Sequence, residues 1–166
     1  MTEIRATKVA IVTETDINIF QDCTELLNEF DVEVLINSNL DASKDAGEYV
    51  KNAESEGVGV IVAGFKKGSN FAENLAKETN IPVIAVPIKV ENDKGLDLLL
   101  PMLKGEKSIP VATVAVNGIK NAALLAVQIL STSCRELREK MKNYKNDLKQ
   151  MVEERDKLLR QQFETR

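Results

Sequence analysis

The segment GFKKGSN, residues 64–70, has the composition of a loop that binds an anion. It follows the apolar run VGVIVA, residues 58–63, and it precedes a segment with helical character. Free N–H groups at the start of a helix, together with Lys66 and Lys67, would attract a phosphate or carboxylate group. This interpretation predicts a ligand site at the end of a strand.

A second interpretation of the same loop needs no ligand. Asn70 is followed three residues later by Glu73, which is the spacing of a capping box, so the helix would begin near Phe71. Gly68 would then give the turn its backbone freedom. The loop contains no Walker pattern, so its own residues favour the capped turn, and both interpretations stay open at this point.

The chain contains no histidine. This absence excludes a Ser-His-Asp or Cys-His nucleophile, an imidazole base and any zinc site that needs histidine. Cys23 and Cys134 match neither a CxxC motif nor a metal spacing, so they indicate buried or incidental thiols in a reducing compartment. Neither a metal site nor a cofactor is predicted, and the catalytic residues, if there are any, stay unknown.

Length and charge suit a single soluble domain of 166 residues, with 43% hydrophobic and 29% charged residues. Residues 1–130 carry 12 Lys and Arg against 19 Asp and Glu, a net −7, while residues 131–166 carry 10 against 7, a net +3. The basic tail alternates its signs, which argues against a nucleic-acid surface. The chain has no apolar segment of the ~18 residues that a membrane span needs, so a cytoplasmic protein is expected.

Short β-branched runs without polar alternation recur along the chain, as in strands that are covered on both faces. Helical segments separate them, which predicts an α/β protein: a flavodoxin-like three-layer sandwich around a five-stranded parallel sheet in the order 2-1-3-4-5. Ligands of such sheets bind at the carboxyl ends of the strands, here at loops 13–18, 37–43 and 64–70. The runs are KVAIVT (8–13), VEVLIN (32–37), VGVIVAG (58–64), PVIAVP (82–87) and PVATVAV (110–116).

Two helical patterns lie between the strands, and a longer one follows them. The first pattern places Phe20, Cys23, Leu27 and Phe30 on one face, and the second spans residues 43–57 and ends at Gly57. From about Lys120 a long helix is predicted, which the STS at 131–133 would fray or bend. We therefore divide the chain into an α/β domain, residues 1–130, and a helical extension, residues 131–166.

The extension carries a heptad stripe that polar residues interrupt twice. This stripe suggests a contact with another subunit, and an amphipathic helix lying on its own domain is the alternative. The stripe consists of Leu137, Met141, Tyr144, Leu148, Met151, Arg155, Leu158 and Gln162.

Several framework segments resemble the PurE-type carboxyaminoimidazole ribonucleotide mutases of purine biosynthesis, also called AIR carboxylases. The resemblance is collinear from about Lys8 to Leu130. It implies the same fold, an isomerase or lyase ancestry and a ring-like homo-octamer. The segments that carry it are IPVIAVP (81–87), GLDLLL (95–100), IPVATVAV (109–116) and NAALLAVQIL (121–130), with weaker support from EYV (48–50) and VIVAG (60–64).

The site motifs of that family are only partly kept. Where the family has Gly-Ser-x-Ser-Asp, this chain has VTETD, so the resemblance implies that Thr13, Thr15 and Asp16 face a ligand, with Asp16 on a ribose hydroxyl. Their residue types equally make Thr15 or Asp16 a good N-cap for the first helix. Where the family has Ser-Ala-His-Arg-Thr-Pro, this chain has SNLDAS. Ser38 is kept, Leu40 stands for the histidine and Asp41 stands for the arginine.

The loop at 64–70 occupies the place where the family has Gly-Ala-Gly-Gly-Ala-Ala-His-Leu-Pro-Gly after the third strand. Gly64 is kept there, and Asn70 stands where the family has a second histidine. Asp41 with Glu14 would form a carboxylate pair or hold a cation, although a solvated pair is favoured. The predicted ligand-binding set is Thr13, Thr15, Asp16, Ser38, Asp41, Gly64, Lys66, Lys67, Gly68, Ser69 and Asn70.

Three functional hypotheses follow from this comparison. The favoured hypothesis is a divergent family member that binds an anionic or phosphorylated small molecule, such as a ribonucleotide monophosphate, without normal mutase activity. Its physical basis is that proton transfer needs a group with a pKa near 7, which Leu40 cannot supply. The second is a catalytically inactive, homo-oligomeric scaffold, and the third is mutase or carboxylase activity by a histidine-free route.

Overall fold

A parallel sheet forms the centre of the protein in the computed structural model, which describes residues 7–89 and 109–164. Its strands lie in the order β2-β1-β3-β4-β5, and every described pairing is parallel. This arrangement confirms the predicted flavodoxin-like order. The strands are β1 (Lys8–Thr13), β2 (Glu33–Asn37), β3 (Val58–Phe65), β4 (Val83–Pro87) and β5 (Ala112–Thr113).

Helices cover both faces of the sheet and complete a three-layer sandwich. The helices α1, α4 and α5 pack on one face, and α2 and α3 pack on the other. None of the helices in the described part of the chain has the length and hydropathy that a membrane crossing needs. The helices are α1 (Gln21–Glu29), which follows a 3-10 turn at Ile17–Phe20, α2 (Ala46–Ser55), α3 (Phe71–Glu78), α4 (Ile119–Ser131) and α5 (Arg135–Glu164).

Strand β3 shows why the strands lack polar alternation. Its residues Val60 and Val62 belong to the core under α1, α4 and α5, whereas Ile61 and Ala63 belong to the core under α2 and α3. All four side chains are fully buried. Because helices cover both faces, every position of β3 is apolar, as in parallel sheets generally.

Strand β5 is shorter than its apolar sequence predicts. The run at 110–116 predicts a long buried strand, but only Ala112 and Thr113 pair with β4, and both are exposed. Pro110 has no N–H group for a ladder, and Asn117 adopts a left-handed conformation with φ 56° where the chain turns away. The segment GLDLLL at 95–100, which carried part of the resemblance, lies outside the described residues.

The long C-terminal helix is divided in two. The chain leaves α4 at Ser131 and enters α5 at Arg135, so STS at 131–133 ends the first helix. The Thr132 and Ser133 hydroxyls donate to carbonyl oxygens three residues earlier, at 2.7 and 3.2 Å. Such side-chain bonds compete with helical backbone bonds and favour an interruption.

The first turns of α5 pack on the α/β domain. Leu137 and Met141 are buried in its core, and Tyr144 lies against Phe30 with ring centroids 5.6 Å apart. Lys140 Nζ binds the Asp31 carboxylate at the end of α1. From residue 145 to residue 162 the helix is exposed. The proximal part of the predicted extension therefore lies on its own domain, and the boundary at residue 130 stays a prediction.

Candidate functional site

The carboxyl ends of β1 and β3 meet at one edge of the sheet. Thr13 and Gly64 are the last register partners of these strands, and the Glu14 N–H group continues the pairing by donating to the Gly64 carbonyl at 3.2 Å. Loops 13–18, 37–43 and 64–70 all leave strands at this edge. The structure therefore places the three predicted loops where ligands of doubly wound sheets bind.

A cleft of ≈ 590 Å³ separates loop 37–43 from the loop that joins β3 to α3. Four of the predicted ligand-binding residues line it: Ser38, Asp41, Ser69 and Asn70. A second cleft of similar size, ≈ 570 Å³, lies near Pro82 at the amino end of β4, and none of the predicted ligand-binding residues line it. The remaining residues that line the first cleft are Glu14, Asn39, Leu40, Ala42, Ser43, Phe71 and Asn74.

Thr13, Thr15 and Asp16 form a compact turn after β1 and are not among the cleft's lining residues. Thr13 is fully buried; its hydroxyl lies 2.7 Å from that of Thr15 and accepts the Thr15 N–H group at 3.0 Å. Asp16 caps the 3-10 turn, and its Oδ1 accepts the Asn18 N–H group at 3.0 Å. Of the two predicted N-caps, Thr15 and Asp16, the structure shows Asp16, and a ligand role for these residues stays a prediction.

Gly64, at the start of the 64–70 loop, packs closely against the side chains of Phe20 and Thr13. A Cβ atom at this position would lie 2.4 Å from Phe20 Cζ, so only glycine fits without movement of the ring. Gly68 has a left-handed backbone with φ 77°, which is the freedom that the sequence predicted for this turn. Lys66 and Lys67 are exposed on the loop between the two glycines and are not among the cleft's lining residues.

The predicted capping box is only half right. The helix α3 does begin at Phe71 with Asn70 in the N-cap position, but the Asn70 side chain makes no capping hydrogen bond. The Ser69 hydroxyl instead accepts the Phe71 N–H group at 3.2 Å. Asn70 has φ −98° and ψ 27°, which is not the extended conformation typical of a capping residue. Its side chain therefore remains available to line the cleft.

Asp41 organises its own turn at the start of the segment that leads to α2. Its Oδ1 accepts the Ser43 N–H group at 3.1 Å and the Ser43 hydroxyl at 2.5 Å, and its Oδ2 pairs with Lys44 Nζ at 3.1 Å. The Ser43 hydroxyl, followed by the Lys44 ammonium group, holds the pKa of Asp41 below its ordinary value of 3.8. Asp41 is therefore ionised at neutral pH and is a weak base.

Glu14 links the loop after β1 to the 64–70 loop, which the sequence did not reveal. Its Oε1 accepts the Lys66 N–H group at 2.8 Å, and its Oε2 accepts the Ser69 hydroxyl at 2.9 Å. The sequence suggested only a pairing with Asp41, whereas each carboxylate has other partners. The available signal was its place between Thr13 and Thr15 at a strand's carboxyl end, beside a loop rich in donors.

Leu40 and Asn70 face the same cleft from its two sides. Leu40 is half-buried and packs against the core under α2 and α3, so its side chain completes an apolar contact. The only titratable side chains among the lining residues are the carboxylates of Glu14 and Asp41. Of the described residues, no group of three or more Cys, Asp or Glu side chains could hold a metal ion.

The chain is similar to known proteins over most of its length. A family model described as AIR carboxylase matches residues 8–151. The N5-carboxyaminoimidazole ribonucleotide mutase of Pyrococcus horikoshii is 40% identical over 149 residues, which cover 89% of this chain and 84% of that protein. The corresponding mutase of Thermotoga maritima is 37% identical over 151 residues, covering 90% of this chain and 88% of the relative.

A solved structure shares the fold. The crystal structure of Treponema denticola PurE superposes with a TM-score of 0.77 at 22% sequence identity, over 90% of this chain and 96% of that one. At this level of identity the match concerns the architecture alone. It agrees with the sheet order and with the helices on both faces.

Proposed function

This chain belongs to the AIR carboxylase family of purine biosynthesis. We propose that, unlike the mutases of that family, it lacks normal mutase activity and binds an anionic or phosphorylated small molecule. The proposed site is the cleft between loops 37–43 and 64–70. One observation carries the proposal: Leu40 and Asn70, which the resemblance aligns with the family histidines, both line this cleft.

The absence of histidine argues against ordinary proton shuttling in this cleft. A general acid-base group works best with a pKa near the operating pH, and losing one typically lowers the rate by about 10² to 10⁴. Asp41, whose pKa is held low, is poorly suited to replace it. Glu14 already uses both carboxylate oxygens as hydrogen-bond acceptors. The cleft thus keeps polar binding groups without an evident proton relay.

Binding is supported by the donors and cations of the two loops. Ser38, Ser69 and Asn70 place hydroxyl and amide groups in the cleft. Lys66 and Lys67 add positive charge to the 64–70 loop, and Asp41, which lines the cleft, is paired with a lysine. Hydroxyl and amide donors suit a sugar phosphate, because they can hydrogen-bond both hydroxyl groups and phosphate oxygens.

Thermal unfolding with a panel of ribonucleotide monophosphates tests this proposal. A ligand at 100 times its Kd stabilises the folded state by about 2.7 kcal/mol, or roughly 5 to 10 °C in Tm for a domain of this size. We expect the shift to shrink in a Lys66→Ala, Lys67→Ala variant. A Lys142→Ala, Lys145→Ala variant removes the same charge from exposed positions on α5 and should keep the full shift.

Two results would count against anion binding at this loop. The absence of any shift across the panel would remove the proposed ligand class. A shift of equal size in the wild type and in the Lys66→Ala, Lys67→Ala variant would show that the two loop lysines do not contribute to binding. A smaller shift at higher salt is expected in either case, since exposed charges are screened.

A second candidate function is an oligomeric scaffold, and the distal part of α5 favours it. Leu148, Met151, Val152, Leu158 and Leu159 are all exposed there, with Val152 at 69%. Three of them, Leu148, Met151 and Leu158, continue the heptad stripe that is buried at Leu137 and Met141. A second copy of the chain would cover such a stripe, in keeping with the homo-octamer that the resemblance implies.

Sedimentation velocity tests the scaffold. Truncation after residue 146 removes the exposed stripe and keeps the buried part of α5, and Met151→Glu with Leu158→Glu perturbs the same surface at full length. A smaller mass for both variants than for the wild type supports assembly through α5. An unchanged mass for both assigns subunit contacts, if any form, to another surface.

A further inference from the structure

The carboxylate of Glu14 occupies the hydrogen-bond donors of the 64–70 loop. One of its oxygens accepts the backbone N–H group of Lys66 at 2.8 Å, and the other accepts the hydroxyl of Ser69 at 2.9 Å. Glu14 belongs to the loop after β1, so the two contacts join loops that are more than 50 residues apart in sequence, with separations of 52 and 55. The same residue lines the cleft.

These donors cannot serve two acceptors fully at once. A backbone N–H group and a hydroxyl each carry a single proton to donate. The Ser69 hydroxyl also accepts the Phe71 N–H group at 3.2 Å, which directs its own proton towards Glu14. While Glu14 stays in place, an incoming phosphate therefore finds both donors already bound to an anion that the chain itself supplies.

The charge of Glu14 acts in the same direction. A carboxylate in the wall of the cleft repels a phosphate group, whereas an uncharged residue of the same shape would not. Hydrogen bonds to a charged acceptor are also stronger than those to a neutral one, so the carboxylate competes effectively for the loop. Displacing it costs free energy that lowers the apparent affinity for an anionic ligand.

We propose that Glu14 is an autoinhibitory residue, an internal anion that holds the 64–70 loop and must be displaced when an anionic ligand binds. This inference rests on the proposed binding function. It makes the wild-type protein a weak binder whose affinity is limited by Glu14. Moving Glu14 away frees the Lys66 N–H group and the Ser69 hydroxyl for the ligand.

Isothermal titration with ribose 5-phosphate at fixed ionic strength tests the inference on the full chain. Glu14→Gln keeps the size of the side chain and removes its charge. Glu29→Gln is the matched control, because it makes the same charge change at an exposed position at the end of α1. We expect Glu14→Gln to bind about tenfold more tightly than the wild type, from the strength of hydrogen bonds to charged acceptors. The control should bind within about twofold of the wild type.

The possible results separate this inference from the proposed function. Equal affinity in the wild type and Glu14→Gln overturns the autoinhibitory role and leaves anion binding standing, and weaker binding by Glu14→Gln does the same. No binding by the wild type, Glu14→Gln or Glu29→Gln overturns both. If Glu14→Gln does not fold, as judged by circular dichroism, Glu14→Ala is titrated instead and the same comparison with the wild type decides.

Discussion

Replacing Gly64 with alanine tests how tightly the start of the 64–70 loop is packed. The new Cβ atom would lie 2.4 Å from Phe20 Cζ, 2.6 Å from Phe20 Cε2 and 2.7 Å from Thr13 Oγ1. Phe20 is 1% exposed and Thr13 is fully buried, so neither side chain can turn into solvent. The strands must separate or the ring must move within a packed core.

The expected loss of stability follows from these contacts. Adding a methyl group to a well-packed core typically costs about 1 to 3 kcal/mol. Because the added methyl group would clash with two buried side chains, we expect a loss of stability near the upper end of this range, about 3 kcal/mol. For a domain of this size that loss corresponds to a decrease in Tm of roughly 6 to 12 °C.

Urea unfolding followed by circular dichroism measures the loss, with Gly68→Ala as the control. Gly68 has φ 77°, and no heavy atom lies within 4 Å of the position that a Cβ would take, so alanine there meets backbone strain without a clash. The left-handed conformation costs a residue with a Cβ about 1 to 2 kcal/mol. A Gly64→Ala variant that loses less free energy of unfolding than Gly68→Ala would contradict the close packing of Phe20 and Thr13.

Three further predictions concern the turn at Asp41, the packing of α5 and a buried thiol. The pKa of Asp41 is lower in the folded state than its ordinary value of 3.8. Its charge therefore stabilises the fold at pH values above 3.8, and this stabilisation is lost as the pH falls through the folded-state pKa. Asp41→Asn should therefore unfold more easily than the wild type at pH 7 and equally easily in acid, as measured by urea titrations across pH. Leu137→Ala should cost about 2 to 5 kcal/mol, since Leu137 is buried, whereas the exposed Leu158→Ala should cost less than about 0.5 kcal/mol. Burial raises the pKa of Cys23 to about 12, so an aromatic disulfide reagent at pH 8 should label Cys23 only after unfolding, as followed by mass spectrometry.

Each of these predictions has a contrary result. Equal stability of Asp41→Asn and the wild type at every pH would mean that the Ser43 and Lys44 contacts do not stabilise the turn. Similar losses for Leu137→Ala and Leu158→Ala would contradict the division of α5 into a buried and an exposed part. Labelling of Cys23 in the native protein at the rate of a free thiol would show that the core under α1 opens readily.

The architecture was predictable because apolar periodicity reports burial on both faces. The runs at 8–13 and 58–64 correspond closely to β1 and β3, and Phe20, Cys23, Leu27 and Phe30 are buried as their spacing indicated. The run at 110–116 misled, because a composition rich in valine does not reveal that only two of its residues pair with a neighbour. Pairing at a sheet edge depends on tertiary geometry that periodicity does not encode.

For the candidate site, the sequence predicted which loops lie together on the sheet but not the contacts that their side chains make. Topology places the loops after β1, β2 and β3 at one edge, and four predicted residues share the cleft there. The choice of hydrogen-bond partner within those loops was not predictable. Ser69 replaced Asn70 as the side chain that caps α3, and Glu14 reached across to Lys66, because both outcomes depend on backbone angles and distances between separate loops.

Conversion of N5-carboxyaminoimidazole ribonucleotide is the decisive measurement for the proposed loss of mutase activity in a chain that contains no histidine. The Thermotoga maritima mutase, to which this chain is 37% identical, serves as the parallel control. We expect this protein to turn the ribonucleotide over at least about 10² to 10⁴ times more slowly than the control. A rate within about tenfold of the control would show that proton transfer proceeds here without an imidazole, and it would contradict the proposed loss of activity.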